Sequence, residues 1–427
     1  MVNLDLSNLD TISNNHLRVL QAMEQGMRNH DYVPVVLIQQ ISNISSVAIY
    51  LGDLHRLKLV ACKNHTTYTL TYLGFDYLAL TVLSKRGIFD IVGSRVGVGK
   101  EADVYIATNS KTHKTVALKF HKLGLSSFKK AKEKRNYLEH RQNASWMHMS
   151  RLSAMREFGF LATLQDNFDS PKALSLNRHC VVMEFIPGFK MACLRGLSPE
   201  WANDLGWNVW WKMVELLRRG VIHGDMNEYN IIVQVKDELL CQIKEEKPDT
   251  QELPEAQNEI QDVEGEEMEE NEEAEEKEVE EQHFNVKLPV MDEMPPLPND
   301  DYKFFTRVVI IDFPQMIQTT DKEAEYQFDR DVESYENFLN RRFQAGLKLP
   351  RFAQFFHLVK PKDEEQIETT EKFVKKAIEK QGQVYEESKA KDVKSCVKKE
   401  MNRKQQQGTK LVQKGQVKNK NNVKDWE

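Results

Sequence analysis

The stretch VIHGDMNEYNIIV, residues 221–233, decides how the chain is read. Apolar residues bracket a polar core of His223, Asp225, Glu228 and Asn230, and Asp225 and Asn230 stand five apart on what reads as one short loop. That spacing lets an aspartate face a substrate oxygen while the asparagine carbonyl reaches a metal. Further on, VVIIDFPQM sets Asp312 directly after four β-branched residues. A carboxylate at the end of a buried strand is expensive to desolvate unless something pairs with it, and Mg²⁺ is a natural partner. The two β-branched runs IIVQV (231–235) and RVVIID (307–312) can pair as a hairpin with a long insertion at its tip, because closure entropy grows only logarithmically with loop length.

Working towards the N-terminus, RVGVGKEADVYIAT places Gly97 and Gly99 between short apolar runs. A strand, a glycine turn and a returning strand bring backbone N–H groups close to phosphate oxygens, since glycine has no Cβ to block the approach. No G-x-x-x-x-G-K-[ST] run occurs, which disfavours a P-loop NTPase. Lys119 closes the apolar run VALK. It reads either as a solvated strand end or as the single ammonium that nucleotide phosphates need, which a carboxylate must then orient. Glu157, in the helical run LSAMREFGFLATL, is the candidate carboxylate. Taken singly, each motif also fits an ordinary turn aspartate or surface charge. Four of them in this order are hard to reconcile with that reading.

The remainder of the 427 residues sets the context. Charged residues make up 29% and mean hydropathy is −0.58, with no run of eighteen apolar residues to span a bilayer. The N-terminal segment lacks the layout of a secretory signal. Five cysteines, Cys62, Cys180, Cys193, Cys241 and Cys396, are scattered without a C-x-x-C pair. That argues against a disulfide scaffold and a structural zinc site, and fits a reducing compartment. The net charge of −6 hides an asymmetry: residues 251–280 hold 15 Asp/Glu and one Lys, whereas residues 388–424 hold 12 Lys/Arg against two acids. Such a tail favours polyanionic partners. Residues 236–300 are Glu-rich and aromatic-poor, a composition that cannot offset the entropy of ordering, and read as a disordered insert. Whether it masks the basic tail, binds a basic protein or is a solvated spacer stays open. Beyond Pro350 an amphipathic helix with Ile367, Phe373, Val374 and Ile378 precedes the tail.

The first 80 or so residues read as a small unit. Leu17, Leu20, Met23 and Met27 line a first helix, Leu37, Ile38 and Ile41 a second, and Val47, Tyr50, Leu51, Leu54 and Leu57 a third. LKLVAC, KNHT and TYTLT then read as a hairpin, and a last helix runs through Phe75, Tyr77, Leu78 and Leu80. Three helices, a hairpin and a helix predict a winged helix, which serves either nucleic-acid contact or docking.

In these residues the chain resembles the protein kinase superfamily and, within it, the atypical RIO branch. HGDMNEYN and IDFPQM resemble the RIO catalytic and metal-binding loops, and GVGKEADVY its phosphate loop. A preceding winged helix marks the RIO kinase two group, to which NHDYVP, RLSAMREF and FDRDV are also similar. The resemblance covers roughly residues 1–350. It implies an α+β fold: an N-terminal winged helix (1–90), a truncated bilobal protein-kinase-like RIO domain (91–345, with the acidic insert at about 236–300) and a helical, Lys-rich C-terminal extension (346–427).

Carried onto this sequence, the resemblance implies that Gly97, Val98, Gly99 and Lys100 cover the nucleotide phosphates and Lys119 contacts them. Glu184 and Ile186 would supply hinge contacts to adenine, with Met183 behind them. Asp225 would be the catalytic aspartate, and Asn230 and Asp312 the Mg²⁺ ligands, Asp312 also receiving the γ-phosphoryl group of ATP. Ala102 departs from the family's usual serine, which removes a hydroxyl contact. Residues 122–151, with Ser126 and Ser127, resemble the family's flexible loop. No A-P-E run follows Asp312, so the peptide-holding lobe of ordinary kinases is cut short. The resemblance further implies an ATP- and Mg²⁺-dependent Ser/Thr kinase or ATPase acting in maturation of the small ribosomal subunit, in pre-rRNA processing and late particle release. Its partners would be the precursor particle, with its rRNA and proteins, and assembly factors. The expected protein is monomeric, off the membrane, and cytoplasmic with passage through the nucleus. A conventional kinase acting in trans, and a nucleotide-gated scaffold with little trans-kinase activity, are the rival readings.

Overall fold

The computed structural model describes residues 11–64, 66–99, 101–122, 146–164, 168–240, 244–245, 289–297 and 304–359. Lys100, most of the loop at 122–151, the acidic run at 251–280, and the expected helix and tail beyond residue 359 lie outside them. The chain forms two compact units that divide between Phe185 and Ile186. Among the described residues no single helix is long and apolar enough to cross a membrane.

The first unit opens with α1 (Asn14–Gly26), capped by Ser13, whose Oγ accepts from the His16 N–H. Leu17, Leu20, Met23 and Met27, its predicted apolar face, are all buried. Then come β1 (Val33–Pro34), α2 (Val35–Ser42), α3 (Val47–Arg56), β2 (Val60–Lys63), β3 (Thr67–Leu70) and α4 (Tyr72–Lys85). The expected hairpin forms with Val60 opposite Leu70 and Lys63 opposite Thr67. A third strand joins it, β1, with Val33 opposite Tyr68. This is a winged helix, and Val19, Leu20, Met23, Ile38, Leu51 and Leu54 lie at its centre.

The same unit continues with an antiparallel sheet in the order β4 (Ile91–Val98), β5 (Ala102–Thr108), β6 (Thr115–His121), β8 (Cys180–Glu184), β7 (Ala173–Asn177), with α5 (Trp146–Leu164) packed on it. Polar side chains fasten winged helix to sheet. Arg178 donates to both carboxylate oxygens of Glu24, at 2.9 and 2.7 Å, and to the carbonyl of Leu78. His179 Nε2 lies 2.6 Å from Asp76 Oδ1, and the Phe75 ring stacks on the imidazole at 4.3 Å. Burial pulls His179 below its ordinary pKa while Asp76 opposes it. These buried charges are paired, as their desolvation requires.

The second unit runs β9 (Phe189–Lys190), β10 (Leu194–Arg195), α6 (Pro199–Arg218), β11 (Val221–Ile222), β12 (Ile231–Val235), β13 (Lys244–Glu245), β14 (Phe305–Ile310), β15 (Ile317–Gln318), α7 (Ala324–Phe343) and α8 (Phe352–Val359). The hairpin predicted from IIVQV and RVVIID forms, Ile231 opposite Ile310 and Val233 opposite Val308, and β9 joins its other edge. Ser198 caps α6 and Pro199 takes its first turn, where a missing N–H costs nothing. Trp210 is buried at the centre, its Nε1 donating to Pro350 O at 3.0 Å and its ring 4.8 Å from Phe355. The packed core runs past residue 346, because Leu347, Leu349, Phe352, Phe355 and Val359 are buried. Phe352, Phe355 and Val359 stand at helical spacing, and Phe328 meets both phenyl rings.

Candidate active site

Two sets of polar side chains, one in each unit, hold the residues singled out by sequence. In the first unit β4 and β5 make the glycine-bearing hairpin. Gly97 sits opposite Val104, and a Cβ there would come within 3.4 Å of the Val104 Cβ. The Gly99 N–H donates to Ala102 O at 2.8 Å, so Ala102 closes the turn through its backbone. Val98 is exposed beside them, and Lys100 lies outside the described residues. Lys119, on β6 opposite Val104, is buried and donates through Nζ to Glu157 Oε1 at 2.8 Å. The second carboxylate oxygen of Glu157 lies 2.6 Å from His121 Nε2, and Ser153 Oγ is 3.0 Å from His121 Nδ1. Met183, buried, and Glu184, half-buried, end β8, where the Glu184 N–H donates to Lys172 O; Ile186, buried, opens the second unit.

In the second unit the loop from β11 to β12 is held by side-chain amides bonded to its backbone and by backbone hydrogen bonds. Asn230 Nδ2 donates to Asp225 O at 2.8 Å, Asn227 Nδ2 donates to the same oxygen at 3.1 Å, and the Asn227 Oδ1 accepts from the Tyr229 N–H. The Ile311 N–H donates to Asn230 O at 3.0 Å, and His223 Nε2 lies 3.1 Å from Ile311 O. The end of β14 is thereby fastened to the 223–230 loop just before Asp312. Asp312 itself has φ 71°, a left-handed conformation that aspartate tolerates better than most residues and that turns the chain abruptly out of the strand. Gly224, with φ 78°, is obligatory on a second count, since a Cβ there would lie 2.7 Å from Gln315 O.

Three residues that the sequence reading did not single out complete this loop. Gln315 Nε2 donates to Asp225 Oδ2 at 3.0 Å. Asp331 Oδ2 accepts the Gly224 N–H at 2.8 Å, while Arg330 donates to Gly224 O. Asp331 had a legible signal: it interrupts the apolar stripe of Phe328, Val332, Tyr335 and Leu339 on α7 and is buried among them. Burial pushes its carboxyl up to about 7, against the pull of Arg330 and of the Gly224 and Met226 N–H groups. His121 likewise escaped notice, although it sits two residues from Lys119 on the same face of β6.

The oxygen donors suit Mg²⁺. Among the described residues no group of three His, Cys, Asp or Glu could hold a metal. Magnesium, however, takes one or two protein carboxylates and completes its shell with phosphate and water. Asn230, whose Nδ2 is spent on Asp225 O, has its Oδ1 left for a cation, and Asp312 supplies a carboxylate at the strand end tied to it.

Fold and site together define a RIO-domain protein: the family model described as "RIO domain" matches residues 103–243 and 304–352. The model described as "Rio2, N-terminal" matches residues 9–86, the winged helix. The chain is 32% identical over 359 residues to the serine/threonine-protein kinase rio2 of Schizosaccharomyces pombe, covering 82% of this chain and 83% of that one. It is 33% identical over 358 residues to the corresponding protein of Dictyostelium discoideum, covering 82% of this chain and 54% of that one. The chain thus spans about half the length of the Dictyostelium relative. A crystal structure of the Rio2 kinase–ADP/Mg²⁺–phosphoaspartate complex from Chaetomium thermophilum superposes with a TM-score of 0.61 at 28% identity, covering 90% of this chain and all of the other. The chain belongs to the Rio2 family.

Proposed function

We propose that the chain is an ATP- and Mg²⁺-dependent RIO-type serine/threonine kinase and ATPase that acts on precursors of the small ribosomal subunit. The observation that carries the enzymatic reading is the Lys119–Glu157 pair at 2.8 Å, with both side chains buried. A solvated strand end and a surface glutamate, the plain alternatives, do not meet inside a fold. Lys119 binds nucleotide phosphates and Glu157 orients it. Gly97, Val98, Gly99 and Lys100 cover the phosphates, and Met183, Glu184 and Ile186 flank the adenine. Asp225 acts on the oxygen that receives the phosphoryl group. Bound Mg²⁺, held by Asn230 and Asp312, neutralises phosphate charge.

The Chaetomium protein was captured with ADP, Mg²⁺ and a phosphoaspartate. By analogy, an Asp312 carboxylate oxygen attacks the γ-phosphorus of ATP, the bond to the bridging β–γ oxygen breaks, and ADP leaves. Water then hydrolyses the acyl phosphate and releases inorganic phosphate. Residues 313–323, which lead from Asp312 to α7, hold only β15 and turns. So short a connection has no segment to hold a peptide, and it favours hydrolysis or a nucleotide-gated assembly role over trans-phosphorylation.

Mg²⁺-dependent ATP hydrolysis, peptide labelling and hydroxylamine-sensitive self-labelling, measured on one preparation, test the reading. Hydrolysis exceeding peptide labelling is expected, with the self-label lost in Asp312→Ala. A hydroxylamine-sensitive label that persists in that variant removes Asp312 as acceptor, and absence of any Mg²⁺-dependent turnover removes the enzymatic reading. Co-sedimentation with small-subunit precursors tests the partner, which the excess of cations in residues 388–424 supports. A monomer in the cytoplasm that passes through the nucleus fits that partner.

A further inference from the structure

The polar side chains of α7 are spent unevenly. Asp329 accepts the Phe352 N–H, Arg330 and Asp331 hold Gly224, Glu336 pairs with Arg351 at 2.7 Å, and Asn340 bonds Leu347 through both ends of its amide. One face is different. Ser334, Asn337, Phe338, Arg341 and Arg342, at the spacing of a single helix face, line an open cleft of about 480 Å³ with Glu228. Among the described residues the side chains of Glu228, Ser334, Asn337 and Arg341 make no hydrogen bond or ion pair with the protein, and Arg342 is held only over the Phe338 ring, at 5.3 Å. The volume lies within the roughly 300–1,000 Å³ range of ligand sites.

The chemistry of the lining is specific. Two guanidinium groups, an amide and a hydroxyl offer donors that match phosphate oxygens, and arginine does so in a planar fork that lysine lacks. Glu228 opposes them as an acceptor that needs a donor from the ligand. A DNA backbone has phosphates but no 2′-hydroxyl to give Glu228. An RNA backbone carries both phosphate and a ribose 2′-hydroxyl. Arg342 lies over one face of the Phe338 ring, and Tyr229, beside Glu228, is exposed.

We propose that this cleft binds the sugar–phosphate backbone of RNA, with Arg341 and Arg342 on phosphates and Glu228 on a ribose 2′-hydroxyl. Recognition there is sequence-tolerant, since backbone contacts carry no base information. Glu228 stands three residues beyond Asp225, so RNA seated here touches the loop that carries the chemistry. The inference rests on the reading of the chain as a factor that acts on an RNA-containing particle.

A 12-nucleotide single-stranded RNA of mixed sequence carrying 4-thiouridine, cross-linked to the full chain, tests the site directly. Cross-links within residues 334–342 are expected, and the double variant Arg341→Ala/Arg342→Ala should lose them. By anisotropy the same variant should bind the RNA several-fold more weakly, and the slope of log affinity against log salt should flatten by about two, one per lost phosphate contact. Its ATP hydrolysis without RNA should be unchanged, which guards against misfolding. Glu228→Ala should narrow the preference for RNA over DNA of the same sequence. Cross-links confined to the winged helix or the tail, with the double variant binding normally, overturn the site and leave the RNA-particle reading standing. A wild-type chain that binds no RNA overturns both. Displacement of the RNA from α7 by a phosphoserine or poly-glutamate peptide at lower concentration than competitor RNA would reassign the cleft to an acidic protein.

Discussion

Lys119, His121 and Glu157 are 8%, 2% and 1% exposed and lie against one another on a sheet and a helix, whereas Asp225 and Asp312 lie half-buried on loops fastened by amide groups. The first set is dry and mutually paired, so its charges answer mainly to each other. A buried ion pair of this kind contributes little net stability, but loss of one member leaves a buried charge without its counter-charge. The second set is oriented by Gln315, Asn227, Asn230, Asp331 and the strand ends, and its Asp225 and Asp312 are half-buried rather than dry. The first set should therefore be sensitive in folding, and the second in chemistry.

Asp225→Ala breaks the comparison most sharply. ATP hydrolysis should fall between about 100-fold and 10,000-fold, the range for loss of a positioned acid or base, with nucleotide affinity and urea midpoint retained. A lowered midpoint would mean that the loop aspartate holds the fold as the buried cluster does. Glu157→Ala is the converse: Lys119 and His121 lose their shared partner, and urea titration should show a loss of about 3–5 kcal/mol. Glu157→Gln keeps the shape and one acceptor, and should cost less.

How far each set was legible follows from the same contrast. Asp225, Asn230 and Asp312 stand out because a polar group bracketed by β-branched residues is a local anomaly, and the hairpin register that joins them follows from two matched runs. Lys119 and Glu157 could be paired only as a guess, since 38 residues of chain separate them and a helix glutamate is usually solvated. Gln315 reaches Asp225 across 90 residues and carried no signal at all. The winged helix was legible from order and period, but its union with the sheet was not. Arg178 finds Glu24 across 154 residues, and nothing in either segment announces the other. The strand β1 was too short for any periodicity to show.

Asp331 lies between the two sets, buried like the first yet serving the second. Its folded pKa, raised to about 7 by burial, exceeds the ordinary carboxylate value of 3.8, so the native state holds a proton that the unfolded chain releases. Stability from this group is therefore full below about pH 4 and is lost as pH rises to about 7, at up to roughly 1.4 kcal/mol per unit. Asp331→Asn keeps an oxygen for the Gly224 N–H and cannot ionise. Its urea midpoint should gain on the wild type progressively from pH 5 to pH 7 and run parallel above. A constant difference across that range would mean that Arg330 compensates the charge in full.

Gln315→Ala should have the smallest effect and sharpen the comparison most finely. Its amide donates to Asp225 Oδ2 at 3.0 Å, while Asn230 Nδ2 reaches the same oxygen at 3.4 Å and, with Asn227, holds the Asp225 backbone. Gln315 makes the shorter of these two contacts to the Asp225 carboxylate, and the backbone position of Asp225 is secured without it. Removing the amide leaves the carboxylate in place but less firmly aimed, which should lower kcat about tenfold, equivalent to about 1.4 kcal/mol. KM for ATP and the urea midpoint should hold, because Gln315 lies on the half-exposed loop and no buried charge loses its partner. Gln315→Glu sets a second carboxylate against Asp225 and should be slower still, with a dependence on salt that the alanine variant lacks. Equal kcat in wild type and both variants would show that Asp225 is aimed by its bound ligand rather than by the protein. The half-exposed site would then be organised by its ligand, as the buried cluster is organised by its own charges.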